Sequence, residues 1–215
     1  KPLELIAPSD YASTLENNAH VIADFQQRQN LIVEQVNPTA KDLGGDAVID
    51  EALLDEVTAL VEWPVALAGR FEERFLDVPA EALISSMKEH QKYFHVVDND
   101  GKIQPYFITV SNIESTDPQQ VIAGNERVIR PRLADAAFLF ETDKKNPLES
   151  RLERLKPFVF QAKLGTVFDK SQRVSKLAAE ISKRIGSDAA LAERAGLLSK
   201  TDLVTEMVLE FSDLQ

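Results

Sequence analysis

Cysteine is missing from this 215-residue chain, and histidine occurs only as His20, His90 and His95. Without cysteine the chain cannot form a disulfide bond, a thiolate zinc site or a cysteine nucleophile, and such a composition fits a cytoplasmic protein. No apolar run approaches the roughly 18 to 20 residues that a membrane-spanning helix needs. The chain also lacks a glycine-rich phosphate loop, a serine elbow and paired zinc motifs. We therefore predict no membrane span, no metal site and no catalytic residue.

The chain does contain enough apolar material for a core. Hydrophobic residues make up 44% of it, which argues against wholesale disorder, and the length suits one large domain or two small ones. The sequence opens on Lys1 rather than methionine and stops after an apolar helical stripe. We therefore expect an internal fragment of a longer protein.

Charge is distributed unevenly along the chain. The net charge of -11 argues against a nucleic-acid partner at first sight. Residues 1–62, however, contain 3 basic and 12 acidic residues, whereas residues 124–162 contain 8 basic and 6 acidic ones. The acidity is thus concentrated at the start, and the total does not exclude RNA contact elsewhere.

The first two thirds of the chain read as α+β. Apolar spacing predicts one long helix from about residue 9 to 36, ended by Pro38, and a second helix capped by Asp50. Alternation then predicts strands over 65–71, 93–97 and 106–110, the last two joined by a turn at 98–101. Helix is predicted again from Asp117, with an interruption at 124–125 and a new start at Pro131, and from Pro147 to 155.

The last third reads as all helix. Val174, Leu177, Ala178 and Ile181 form a stripe that we expect to face the core, and Gly186 ends this helix. Asp188 is expected to cap the next helix, and Thr201 or Asp202 a third. We therefore predict three domains: an acidic helical segment over 1–62, an α+β domain over 63–160, and the start of a helical domain over 163–215.

Basic residues supply the candidates for a binding site. Arginine forks suit phosphate oxygens, and a rigid turn at Pro131 would project the arginines on either side of it. Lysine beside aromatic residues, as around Tyr93, is a further pattern of nucleic-acid surfaces. The alternative for the arginines is that they pair with Glu126, Asp135 and Glu141 within the protein. The alternative for the lysines is that their pattern marks only a helix end followed by a buried strand. The candidates are Lys88, Lys92, Arg127, Arg130 and Arg132.

Eight long strings resemble one known family. They are LVEWP (60–64), FLDVPAEAL (75–83), HQKYF (90–94), SNIE (111–114), GNERVIRPRLADA (124–136), LGT (164–166), AGLLSKTDL (195–203) and MVLEF (207–211). In this order they closely resemble the beta subunit of bacterial glycyl-tRNA synthetase, from about residue 20 to the last residue.

The resemblance implies a subunit of an α2β2 enzyme that charges tRNA(Gly) with glycine. The alpha subunit would hold the class II active site and use ATP and Mg, and the beta subunit would bind tRNA and support assembly. No cofactor is implied for this fragment. The resemblance further implies an editing-type domain, like that of the phenylalanyl-tRNA synthetase beta subunit, followed by an HD-like helical domain. Since residues 96–215 contain no histidine, we expect this helical domain to be an inert scaffold, with Asp202 as a relic ligand.

Two other functions stay open at this point. One is hydrolytic editing of mischarged tRNA with His90 or His95 as a base, although a glycine pocket already excludes larger amino acids sterically. The other is an assembly platform, in which the acidic residues 9–36 face a basic protein partner.

Overall fold

The computed structural model describes Leu3 and residues 7–215 and divides into two compact units, Lys1–Asp135 and Ala136–Gln215. Helices and an antiparallel sheet are mixed in the first unit, which confirms the α+β class. The α-helices are α1 (Tyr11–Ala19), α2 (Phe25–Asp42), α3 (Glu51–Leu60), α4 (Ala80–Ser85), α5 (Pro118–Lys144), α6 (Val167–Arg184), α7 (Ala189–Leu198) and α8 (Glu206–Glu210). The strands are β1 (Asp46–Ala47), β2 (Val65–Arg70), β3 (Phe94–Val97), β4 (Ile103–Ser111), β5 (Val159–Gln161) and β6 (Gly165–Thr166).

The core of the first unit joins the acidic segment to the sheet. Four of the strands form an antiparallel sheet in the order β1-β3-β4-β2. Strand β1, which belongs to the acidic segment, forms one edge of this sheet. Apolar side chains of α2 and α3 share one buried cluster with β3 and β4. Its members are Ile32, Val36, Ala40, Leu53, Leu54, Val57, Val61, Phe94, Val96 and Ile108. Burial of each large aliphatic side chain contributes about 1.5 to 3 kcal/mol. Five of the acidic residues therefore lie on helices whose apolar faces pack on the sheet, namely Glu34, Asp42, Glu51, Asp55 and Glu56.

The predicted long first helix is wrong in two places. It breaks after α1, where His20 adopts a left-handed φ of 53°, and α2 begins at a new cap, Asp24, whose carboxylate accepts from the Gln27 N–H at 2.7 Å. In addition, α2 does not end at Pro38 but continues through it to Asp42. A proline removes one helical hydrogen bond, but full burial of Val36 and Ala40 holds the next turn in place.

Other local predictions in the first unit are confirmed. Asp50 caps α3 by accepting from the Leu53 N–H at 2.9 Å. The turn between β3 and β4 is held by Asp98, whose Oδ1 accepts from the N–H groups of Asp100 and Lys102, and Gly101 adopts the positive φ that closes it. These signals are local, so the sequence alone suffices to read them.

Helix α5 runs unbroken from Pro118 to Lys144, so the predicted interruption at 124–125 and the predicted turn at Pro131 are both wrong. Ile129, Leu133 and Ala136 are fully buried along one side of this helix. Asn125 is held by two hydrogen bonds, donating to the Val121 carbonyl at 2.8 Å and accepting from the Tyr93 hydroxyl at 2.6 Å. Burial of one face thus overrides the local breaking signals.

The second unit is mostly helical, with elements that the sequence did not reveal. A 3-10 helix at Leu148–Leu155 replaces the predicted α-helix, and the hairpin of β5 and β6 precedes α6. Thr201–Val204 is also a 3-10 helix, and Thr205 caps α8 in place of the predicted Thr201 or Asp202. Asp188 caps α7 and Gly186 follows the end of α6, as predicted.

The predicted inward face of α6 is wrong. The buried residues on this helix are Ser171, Ser175, Ala179 and Ser182, whereas Val174, Leu177 and Ile181 are exposed. Helix α7 packs closely on the small residues, because a Cβ placed at Gly196 would lie only 2.8 Å from the Ser175 Cα. Close approach of two backbones requires small side chains, so residue size rather than hydropathy selected the buried face.

Candidate nucleic-acid interface

Both candidate lysines form ion pairs with helix α3. The Lys88 Nζ lies 2.9 Å from Asp50 Oδ2, and the Lys92 Nζ lies 2.8 Å from Glu56 Oε2. The hydrogen bond between Lys88 and Asp50 raises the pKa of the lysine and lowers the pKa of the carboxyl group, which the Leu53 N–H lowers further. These lysines therefore attach the segment before β3 to α3, and their charge is already compensated inside the protein.

The three candidate arginines lie on α5 and are exposed. Arg130 donates through Nε to Glu72 Oε1 at 2.8 Å. Within Leu3 and residues 7–215, Arg127 and Arg132 form no ion pair. Two of the carboxylates that the sequence offered as alternative partners of these arginines bind other groups. Glu126 accepts from the backbone N–H of Arg70, and Glu141 binds Lys144.

The helical path of α5 changes which arginines act together. The predicted turn would have presented Arg130 and Arg132 side by side, but residues two apart on a helix do not face each other. Arg127 and Arg130 are three apart and are neighbours on one side of the helix. The structure thus pairs Arg127 with Arg130 and separates Arg132 from them.

A cavity of about 330 Å³ adds Arg70, which the sequence did not single out. Its lining includes Arg70, Glu72, Tyr106, Glu126 and Arg130, at the end of β2 and the side of α5. The Glu72 Oε2 atom is buried and, among the described residues, has no hydrogen-bond donor. The cavity is therefore lined by two guanidinium groups, which suit a phosphate, and by carboxylates, one of which already binds Arg130. The feature of the sequence that could have indicated Arg70 is its position at the end of a strand predicted from alternating residues.

His90 and His95 do not converge on this cavity. His95 lies on β3 opposite Phe107, and neither histidine is among the residues that line the cavity. Burial lowers the pKa of His95, nearby Lys88 lowers it further, and Asp50 partly offsets both effects. The arrangement does not bring a base, a nucleophile and a substrate cavity together.

We expect His95 to make the first unit less stable in mild acid. Its folded pKa lies below the ordinary value of 6.5, so below that pH the unfolded chain binds a proton that the folded chain resists, and stability falls as pH falls. His95→Gln is expected to lose less stability between pH 8 and pH 5.5 than the unaltered chain. Urea unfolding followed by Trp63 fluorescence measures this, and the free energies at pH 8, where both chains are neutral at this position, provide the baseline. Equal losses in the two proteins would contradict the assignment.

A second cavity, of about 420 Å³, lies in the acidic part of the first unit. It is lined by Glu62, Trp63, Ile113 and Glu114, together with His20, whose ring contacts the Trp63 ring edge-on at 4.9 Å between centroids. An aromatic ring beside two carboxylates suits a cationic side chain.

No metal-binding cluster of three or more histidine or acidic residues occurs among the described residues. The backbone carbonyl oxygen of Asp202 accepts hydrogen bonds from the N–H and the hydroxyl group of Thr205. None of the helices in the described part of the chain is both long enough and apolar enough to cross a lipid bilayer.

Comparison with known proteins identifies the family. A family model described as glycyl-tRNA synthetase beta subunit matches residues 1–215. The glycine–tRNA ligase beta subunit of Hahella chejuensis is 64% identical over 214 residues, and that of Marinobacter nauticus is 65% identical over 217 residues. Each match covers 100% of this chain and 31% of the relative, so the chain spans about a third of the length of these relatives. The chain belongs to the glycyl-tRNA synthetase beta subunit family.

Proposed function

We propose that this chain is the tRNA-binding and structural part of a glycine–tRNA ligase beta subunit. In the complete α2β2 enzyme of the cytoplasm, the alpha subunit would use ATP and Mg to activate glycine and charge tRNA(Gly). The names of the relatives support this assignment, and they give no support to hydrolytic editing. The fragment alone is expected to be without catalytic activity.

We also infer the finer domain assignment. Residues 63–160 would correspond to the editing-type α+β domain of the phenylalanyl-tRNA synthetase beta subunit, and residues 163–215 would begin an HD-like helical domain. The antiparallel sheet and the α6–α7 helical hairpin are compatible with both inferences. The acidic segment 1–62 would act together with the first of these domains, since its helices share the core of the sheet.

The exposed arginine group carries the proposal for RNA contact. Arg70 and Arg130 line one cavity, and Arg127 is one helical turn from Arg130. Arginines in this arrangement bind phosphate oxygens and fix the position of an RNA without reading its bases. Arg132 would contact RNA separately. Lys88 and Lys92 would contribute less, because their paired side chains are only 29% exposed, whereas the Arg130 side chain is 56% exposed beside Glu72.

We expect charge removal at the arginines to weaken tRNA binding. Arg127→Gln combined with Arg130→Gln should reduce the affinity of the complete ligase for tRNA(Gly) about ten-fold and flatten its salt dependence by about one unit per lost phosphate contact. Binding titrations at several salt concentrations measure both quantities.

Two controls make this test specific. Lys183→Gln removes an exposed charge from α6 in the second unit, and Lys92→Gln removes a charge that Glu56 already neutralises. Both should leave the affinity within about two-fold. If Lys92→Gln weakens binding more than the arginine pair does, the arginine surface is wrongly assigned.

The Trp63 cavity favours a second role in subunit assembly. Its carboxylates and aromatic ring would receive a lysine or arginine of the alpha subunit. Glu62→Lys together with Glu114→Lys should weaken capture of the alpha subunit at least ten-fold without changing tRNA affinity of the beta subunit. Unchanged capture would remove the assembly role from this cavity.

A further inference from the structure

Helix α6 presents an aliphatic stripe to solvent. Val174, Leu177, Ile181 and Ile185 follow each other at intervals of three and four residues, and they are between 37% and 74% exposed. Such spacing places all four on one side of a helix. Leu191 at the start of α7 is also 65% exposed. The helix therefore buries small residues and exposes these large apolar ones.

The helix cannot simply turn over to hide this stripe. Its serine face is fixed by the close approach of Gly196 to the Ser175 backbone and by the Ser175 hydroxyl, which donates to the Glu193 carbonyl at 2.8 Å. A larger side chain in that interface would force the two helices apart. The aliphatic stripe therefore needs a different cover, because contiguous exposed apolar residues of this kind mark interaction sites.

The surroundings of the stripe indicate the chemistry of its cover. Arg173 and Arg184 are exposed, and helical periodicity places both beside the stripe, on the side away from the face that α7 covers. An occupant that lies along α6 would therefore be an amphipathic helix with aliphatic residues on one face and carboxylates beside them.

We propose that this cover is a further segment of the same polypeptide, from the part of the subunit that lies outside these 215 residues. The relatives are about three times as long as this chain, and the chain matches them over its whole length. Covalent connection gives such a segment a high effective concentration at the stripe, so intramolecular docking outcompetes a separate partner of similar affinity. This inference depends on the family and not on the proposed tRNA contacts.

The absence of cysteine permits a direct test by thiol labelling. Ile181→Cys and Leu177→Cys each place one thiol in the stripe, and Gln172→Cys places a control thiol at an exposed position on the far side of the same helix. Each variant is prepared in the 215-residue chain and in a full-length beta subunit in which this chain replaces the matching region of a relative. Maleimide labelling is then followed by peptide mass spectrometry, which separates the new thiol from any others.

The two stripe thiols should react as fast as the control in the 215-residue chain and at least ten-fold more slowly in the full-length subunit. The control thiol should react equally in both. Equal reaction of stripe and control thiols in the full-length subunit would overturn the proposal. Protection that appears in the short chain with rising concentration would assign the stripe to a second copy, and protection that appears only after addition of the alpha subunit would assign it to that partner. Either result would also overturn the proposal.

Discussion

Arg151→Met is expected to destabilise the second unit by about 3 to 5 kcal/mol. Arg151 is 4% exposed, and its Nη2 lies 2.7 Å from the Asp143 carboxylate at the end of α5. The same guanidinium donates to the carbonyls of Asp143 and Val204. Its removal leaves a largely buried carboxylate without a counter-charge, which costs more than the packing that methionine restores.

The partner carboxylate extends this contact to the end of the chain. Asp143 accepts from the N–H groups of Glu206 and Met207 at 3.0 and 2.9 Å, so it holds the first turn of α8. The pair therefore joins α5, the Leu148–Leu155 helix, the Thr201–Val204 helix and α8. Asp143→Asn in the Arg151→Met background should recover only part of the lost stability, because it removes the uncompensated charge but leaves one oxygen to accept from the two N–H groups.

The choice of probe decides whether this effect is visible. Trp63 and the three tyrosines lie within residues 1–135, so their fluorescence reports on the first unit alone. Hydrogen exchange of peptides from residues 136–215 reports on the second unit. Arg154→Met is the matched control, because its ion pair with Glu206 is largely exposed and should be worth less than about 1 kcal/mol. If both variants lose equal protection, the buried pair is not the link described.

Local sequence signals predicted the elements better than they predicted the contacts. Caps at Asp50 and Asp188 and the turn at 98–101 involve residues within four positions of each other. Pro38 and Pro131 do not end their helices, because tertiary burial of one helix face outweighs a single missing hydrogen bond. The conflict was not visible without knowing which faces the core covers.

The candidate site shows the same limit. Lys88 and Asp50 are 38 residues apart in sequence and form an ion pair through the fold, so their mutual neutralisation could not be read from spacing. Arg127 could be named as a candidate from the sequence, but its neighbour on the surface depended on whether Pro131 made a turn or stayed in a helix. On α6, periodicity found the aliphatic stripe, whereas the close packing of Gly196 decided that a different face is buried.

Phe107→Ala is expected to destabilise the first unit by about 3 to 5 kcal/mol, as large-to-small changes of a core phenylalanine do. Phe107 is fully buried in β4, and its ring stacks on Tyr93 at 4.5 Å between centroids. Gly69 lies directly opposite on β2, and a Cβ there would lie 2.8 Å from two carbons of the Phe107 ring. The ring thus fills the space that a side chain at position 69 would need.

This complementarity makes the two positions non-additive. Gly69→Ala alone should cost about 1 to 3 kcal/mol, because the alanine methyl group collides with a ring that Tyr93 holds in place. In the Phe107→Ala background the same change should cost little or become favourable, since the methyl group enters the cavity left by the ring. Urea unfolding followed by Trp63 fluorescence gives all four free energies, and Phe25→Ala at an exposed phenylalanine should cost about 1 kcal/mol or less. Additive losses at positions 69 and 107 would mean that the ring moves aside freely, and the glycine would then have no packing role in the sheet.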